Sequence, residues 1–314
     1  LVIRLRKSII YGQPEVFDTI SLHEDYAGVG LYYRQANACW PGICPPTYAY
    51  HLDPDLTFTL ESYMGPALSF ERMSIQQGFV YGRQVGTFFR TMHDRPAPIK
   101  GFGDIVWNGE TLVARQATPL ESRWADEVTS LHEHLDRLRH SDHRFDHQAV
   151  KASLDQALVC RNLALEPVTL VNGDITQENL IVRRGSFAGL IDPVPLLHNG
   201  LRYAAFFIYC YKSYLPNLYD APRYARHHYQ QHQPLMTAIA DGYQAGYTHY
   251  EPGLIEALRQ EYFLWALTVA AENLARLTAT PTPESYLRAG DRQAIAARLQ
   301  RCLRELEALC QPDN

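Results

Sequence analysis

Val168 to Pro195 reads VTLVNGDITQENLIVRRGSFAGLIDPVP, and the rest of the chain takes its place around it. An apolar run (Val168, Leu170, Val171) breaks at Asn172-Gly173-Asp174 and resumes as two short apolar segments, Leu180 to Val182 and Phe187 to Ile191. Arg183 to Ser186 supply the turn between them, so the pattern predicts a hairpin. Asp174 then lies in the loop entering the first strand, Asn179 near its start, and Asp192 at the end of the returning strand. All three converge at one mouth. One carboxylate can accept a proton from a hydroxyl there, while an amide oxygen and the second carboxylate hold a divalent ion, the division of labour that phosphoryl transfer uses. Asn-Gly-Asp alone is a common turn and Asp-Pro a common strand terminator. Their order, with a hairpin between them, gives the pattern its weight.

Composition sets the frame. A chain of 314 residues can bury a substantial core as one large domain or two lobes, and 46% hydrophobic with 20% charged residues is ordinary for a globular protein. A net charge of -5 excludes a global basic field directed at nucleic acid or an anionic membrane. The six cysteines form no repeated Cys-x-x-Cys and lie mostly in apolar contexts, which predicts reduced core thiols and a cytoplasmic setting. No apolar run reaches membrane-spanning length. His132, His134, His140, His143 and His147 cluster in a polar segment and are expected to be solvated rather than metal-bound.

Asn172-Gly173-Asp174, with Asn179 five residues beyond the aspartate, followed by Leu190-Ile191-Asp192-Pro193, resembles the catalytic core of the aminoglycoside phosphotransferase family, relatives of choline kinase and more distantly of protein kinases. The resemblance implies an α+β, two-lobed protein-kinase-like fold. Residues 1–65 would form a small β-rich nucleotide-side lobe and residues 66–314 a large helical lobe, with the boundary at Gly65-Pro66. It implies ATP (or GTP) as co-substrate, Mg2+ held by Asn179 and Asp192, and Asp174 acting on the hydroxyl of a small-molecule acceptor, with neither nucleic acid nor membrane as partner.

Departures accompany the likeness. Asn172 stands where the family usually has histidine, and Ala204 takes the place of an aspartate that usually supports the catalytic loop. No Gly-x-Gly-x-x-Gly occurs, so either the small lobe is truncated at its start or the protein holds phosphate by other means. These features keep a nucleotide-binding pseudokinase open as an alternative, and a metal-dependent hydrolase using the same carboxylates is a further one.

The resemblance also assigns residues outside the central stretch. Arg4 in LVIRL matches the basic residue that contacts nucleotide phosphates, and Glu24 is the candidate acid to brace it, with Glu15 the competitor. Ser21 to Ala36 has helical spacing, Ser21 as cap and Glu24 completing a capping box. Thr47 to His51 and Thr57 to Tyr63 read as paired strands running into a hinge, where backbone groups from about Glu61 through Tyr63 to Met64 would meet the adenine edge. Phe79, Val80, Val85, Phe88, Phe89 and Met92 form a core-facing helical stripe. Gly101-Phe102-Gly103-Asp104 reads as a turn, and Trp124 to Leu138, Gln148 to Leu163 and Asp291 to Cys310 as amphipathic helices. In the family the C-terminal helices wall the acceptor pocket, which would involve the tyrosine-rich Tyr209 to Tyr250 and a helix carrying Glu261 and Glu272, although tyrosines at helical spacing are more often core with wet tips.

Overall fold

The computed structural model describes residues 1–7, 9–10, 13–116, 120–161 and 167–311. The chain opens with β1 (Val2–Leu5), the short strands β2 (Ile9–Ile10) and β3 (Gln13–Pro14), helix α1 (Thr19–Cys39), β4 (Tyr48–His51) and β5 (Phe58–Glu61). β5 is the middle strand of an antiparallel sheet ordered β1-β5-β4. Its register sets Glu61 opposite Val2 and Tyr48, and Thr59 opposite Arg4 and Tyr50. Side chains alternate across a strand, so Arg4, Thr59, Glu61, Tyr48 and Tyr50 share one face. That face is the sheltered one, while Ile3 and Leu5 on the other side are 63% and 66% exposed. A polar inner face is unusual for a small sheet and marks where chemistry can sit.

α1 starts earlier than its spacing suggests. Asp18 is the cap, its side chain accepting the Ile20 N–H at 3.0 Å, and Ser21 falls inside the first turn. Aspartate serves as an N-cap at least as well as serine, so the upstream residue wins.

Next come α2 (Ile75–His93), β6 (Phe102–Trp107), β7 (Leu112–Gln116), α3 (Leu120–Arg139), α4 (His147–Cys160), β8 (Val168–Asn172), β9 (Leu180–Arg183), β10 (Ser186–Leu190) and β11 (Pro195–Asn199). The helices α5 (Gly200–Tyr209), α6 (Pro222–Ala225), α7 (Gln233–Thr248), α8 (Pro252–Thr278), α9 (Pro283–Ala289) and α10 (Arg292–Leu309) complete the large helical part. α2 begins with a reciprocal Ser74–Gln77 capping box. Val85, Phe88, Phe89 and Met92 of its stripe are buried, but Val80 is 40% exposed because it faces away from the core. Of the expected Gln148 to Leu163 helix, the portion at Leu163 lies outside the described residues.

Gly101 to Asp104 is no simple turn. Gly101 and Gly103 take positive φ (122° and 83°) around a bulge, and the segment from Phe102 is strand β6, in a sheet ordered β7-β6-β11-β8. Bulges let a strand re-aim side chains, which is how a glycine pair survives inside β-structure. β11 in turn pairs with β8 from Pro195↔Asn172 to Asn199↔Val168.

α2 and α7 meet backbone to backbone. A Cβ at Gly82 would lie 1.9 Å from the Ile239 carbonyl oxygen, and one at Gly242 2.0 Å from that of Phe79. Glycines spaced four apart on both helices make this approach possible. α2 thereby carries Gln84 under the hairpin, where its side-chain oxygen accepts the Phe187 N–H at 2.8 Å. One core gathers Phe88, Leu170, Phe187, Leu197 and Tyr211 beneath the sheets, and a second packs Leu131, Leu154, Leu267 and Leu303 among α3, α4, α8 and α10. No helix among the described residues is long and apolar enough to cross a membrane.

Candidate active site

The β9–β10 hairpin forms as its residues dictate. Ser186 pairs with Arg183 and Leu190 with Leu180, and the two turn residues Arg184 and Gly185 both have positive φ (54° and 77°). That is the two-residue turn whose twist matches the flanking strands. Its open end brings Asn179 and Asp192 together: the Ile191 N–H donates to the Asn179 carbonyl at 3.0 Å, and Asn179 Nδ2 donates to the Asp192 carbonyl at 3.4 Å.

Asn172, which stands where the resemblance implies histidine, is buried, and both ends of its amide are engaged. Its Oδ1 accepts the N–H of Asp174 at 3.0 Å and of Val194 at 2.9 Å, and its Nδ2 donates to the Asp174 carbonyl at 2.9 Å. One amide therefore ties the loop of Asp174 to the segment just after Asp192. Only a side chain that both accepts and donates can do this. Asp174 Oδ1 accepts the Thr176 N–H at 3.2 Å and its hydroxyl at 3.0 Å, so the loop's own bonds fall on one carboxylate oxygen. Ala204 is wholly buried in α5, and the helix is capped by Asn199, which accepts the Arg202 N–H at 3.1 Å.

Arg4 reaches two acids. One nitrogen lies 2.8 Å from Glu61 Oε1 and another 2.9 Å from Asp192 Oδ2. The expected brace, Glu24, accepts the Trp107 N–H at 3.2 Å instead, while Glu15 lies 3.8 Å from Arg6. Glu24 lines the same cavity as Arg4, while a turn about 13 Å further along the α1 axis meets Glu61 and Asp192. That turn presents Tyr33, whose hydroxyl donates to Glu61 Oε2 at 3.1 Å and accepts the Asp192 N–H at 3.0 Å. No local signal in the sequence reveals the work of the Tyr33 hydroxyl, whose partners come from β5 and the segment after β10.

Burial pushes the Glu61 carboxyl upward, against the pull of Arg4 and the Tyr33 hydroxyl. Burial, and next the nearby Glu61 charge, raises Tyr33. The hinge also differs in detail. Glu61 is paired on both sides within the sheet, Ser62 N–H donates to the Thr47 carbonyl at 3.0 Å, and the Met64 carbonyl accepts from Arg183 at 3.1 Å. Tyr63, 66% exposed, follows the end of β5.

Arg4, Tyr33, Glu61, Asp174 and Asp192 line one cavity of about 570 Å³. Asp104, paired with Arg115 at 2.9 Å on the β6–β7 hairpin, lines it too, a contribution hidden when its segment is read as a turn. Among the described residues no three His, Cys, Asp or Glu side chains group as a metal site. A divalent ion here would rest on Asp192, Asn179 and phosphate oxygens, the sparse oxygen set that suits magnesium. The Arg4 guanidinium on Asp192 Oδ2 shows that this carboxylate accepts a cation.

The tyrosine-rich segment is mostly core: Tyr209, Tyr211, Tyr229 and Tyr243 are fully buried. Glu261 faces the interior and is 2% exposed. It is buried against Arg161 and, at 3.2 Å, Arg202, with Glu127 3.2 Å from Arg161. Glu272 pairs with Arg276 at the surface. Cys160, expected among core thiols, is exposed, and all six cysteines are free. A separate cavity of about 580 Å³ lies between α8, α9 and α10, lined by Tyr214, Tyr224 and Tyr286.

No protein-family model matches the chain, and no curated protein matches it in sequence. Solved structures do. The ADP-bound aminoglycoside phosphotransferase APH(2'')-Ib is 10% identical over 95% of this chain and 86% of its own, with a TM-score of 0.51. A thermostable mutant of aminoglycoside phosphotransferase APH(4)-Ia in ternary complex with ADP and hygromycin B is 12% identical over 88% of this chain and 82% of its own, with a TM-score of 0.49. A choline/ethanolamine kinase family protein from Mesorhizobium loti is 14% identical over 92% and 84%, with a TM-score of 0.42. What the chain shares with the first of these is the fold: a two-lobed α+β architecture of a small antiparallel sheet beside a large helical part, as the Asn172 to Pro193 motifs led us to expect.

Proposed function

We propose that the protein transfers the γ-phosphoryl group of ATP or GTP to a hydroxyl of a small molecule. The observation that carries this reading is the gathering of Asp174, Asp192 and Arg4 on one cavity, with Asn179 bonded behind Asp192. Residues 1–65 would serve as the nucleotide-side lobe and residues 66–314 as the catalytic and acceptor side. Asp174 orients the acceptor hydroxyl and takes its proton, Asn179 and Asp192 hold Mg2+, and Arg4 neutralises phosphate charge. Glu61 braces Arg4 through its side chain, and Tyr63 is the hinge residue left to meet the adenine edge. Mg2+, when bound, would supply positive charge to offset the negative charge of the nucleotide phosphates. Asn172 keeps the two aspartate segments in register, so the missing histidine is answered by a second way of tying the same loops together.

A nucleotide-binding protein without transfer activity is the second reading, favoured by the Arg4–Asp192 pair, which sets a fixed cation against the metal carboxylate. Incubation with γ-labelled ATP or GTP, magnesium and a panel of amino alcohols, sugars and aminoglycosides separates the two. Label on an acceptor supports transfer; nucleotide binding without label on any acceptor or on released phosphate supports the second reading.

A further inference from the structure

We infer that Tyr33 is a positioning residue, holding Asp192 from α1 through its hydroxyl. The inference rests on the proposed role of Asp192 as a magnesium ligand. A phenol has one proton to donate, and here it goes to Glu61 Oε2, leaving the oxygen lone pairs for the Asp192 N–H. Both bonds therefore have a fixed direction. Together with the two arms of Arg4 they close a ring, Arg4 to Glu61 to Tyr33 to Asp192 and back to Arg4, joining β1, β5, α1 and the segment after β10.

Asp192 needs such support. It takes a left-handed φ (52°), which aspartate enters more readily than most side chains but still at some cost relative to extended or helical backbone. Two neighbouring amides are pinned: Ile191 N–H on the Asn179 carbonyl and Asp192 N–H on Tyr33. Tyr33 is itself immobilised, buried and packed edge-on against Tyr48 with ring centroids 5.2 Å apart. A cation arriving at Asp192 would displace one arm of Arg4 while the other stays on Glu61. The hydroxyl of Tyr33 would keep the Asp192 backbone where it was, so the carboxylate is aimed before the metal arrives.

Tyr33→Phe deletes the hydroxyl and keeps the ring. In the metal-free protein, amide exchange in a peptide covering residues 190–195 should speed up about three- to tenfold, the loss of one hydrogen bond. Calorimetric titration with ADP should then show the magnesium concentration for half-maximal binding raised by about the same factor, with affinity at saturating magnesium kept. Tyr26→Phe, which removes a hydroxyl from the same helix and the same cavity but leaves the acceptor of the Asp192 N–H in place, serves as the comparison and should leave exchange at 190–195 within about twofold of the parent. Unchanged exchange in Tyr33→Phe overturns the inference, as does an equal rise in both variants with a matching fall in Tm, the mark of general loosening. A parent that binds no magnesium nucleotide defeats the proposed function instead, and the exchange measurement still decides whether Tyr33 holds Asp192.

Discussion

Two clusters of arginine and carboxylate sit in this molecule, and they are built on opposite plans. In the helical part, Arg161 and Arg202 face Glu127 and Glu261, two charges of each sign, with side chains 4%, 7%, 22% and 3% exposed. The guanidiniums are covered by Trp124 and Trp265 at 4.4 and 4.1 Å from the ring centroids. His198 lies beside them, pushed to about 3 by burial first and the two arginines besides, against the pull of Glu127, and so stays neutral. In the cleft, one arginine faces two acids, and Arg4 and Asp192 are 35% and 60% exposed. The first cluster is balanced and closed, leaving no charge for a ligand to answer. The second carries one uncompensated negative charge, and Asp174 on the same cavity adds another. A strained carboxylate at the mouth of a cavity, short of one cation, is what distinguishes a site from a staple.

The two acids that serve each arginine cluster make the same point. Burial raises the Glu61 carboxyl, and the single arginine does not undo it. Burial acts on Glu127 too, but Arg202 and Arg161 outweigh it and hold that carboxyl below its usual range.

The contrast is sharpest in the Asn172-Gly173-Asp174 loop. Asp174→Asn keeps shape and hydrogen bonding but removes the proton acceptor, so turnover in a confirmed transfer reaction should fall by about two to four orders of magnitude with stability held. Near-parental turnover would reduce Asn172-Gly173-Asp174 to a structural turn. Glu261→Ala should do the reverse. Stranding two buried guanidiniums should cost about 3–5 kcal/mol in urea unfolding, and a loss under about 1 kcal/mol would break the distinction between the clusters. Asp192→Ala should leave stability within about 1 kcal/mol, since its ion pair is largely exposed. Its magnesium-dependent affinity for ADP, measured by calorimetry, should drop about tenfold or more, and equal affinity would remove Asp192 from the metal site.

The smallest effect lies in pH. A carboxyl held below its usual value stabilises the fold above the unfolded pKa, and that contribution fades as pH falls through the folded one. Glu127→Gln should therefore flatten the loss of Tm on acidification below about 4.5. Glu61 has the opposite sign: its raised carboxyl favours the fold at low pH, and the benefit disappears as pH climbs past the unfolded value through the folded one. Glu61→Gln should flatten that decline on the rising side of 4.5. Tm of both variants between pH 3 and 7 decides the pair, and slopes of the same sign would count against it.

Much of this site was legible from local patterns. The Arg183 to Ser186 turn, the strands around it and the order of Asp174, Asn179 and Asp192 follow from turn chemistry and period-two alternation, which act over a few residues. Asn172 was legible as a departure but not as a function, because its partners at Val194 and Asp174 meet only after β8 and β11 pair. Glu24 lines the cavity, but the acid paired with Arg4 is Glu61 for a related reason: a capping pattern says where a helix begins, and nothing about which acid a distant strand brings to the same arginine.

By itself the sequence determined the hairpin, the residues at its open end, the β4–β5 pair and the buried stripe of α2, because backbone propensity and apolar spacing are local properties. Tertiary structure decided which acid Arg4 meets, that Tyr33 rather than Glu24 speaks for α1, that Glu261 belongs to a sealed cluster and that α2 and α7 touch through glycines. Each of these depends on the register between segments far apart in the chain. A shift of one residue along β1 would turn Arg4 to the exposed face of its sheet, and that register is set by packing rather than by any residue near Arg4.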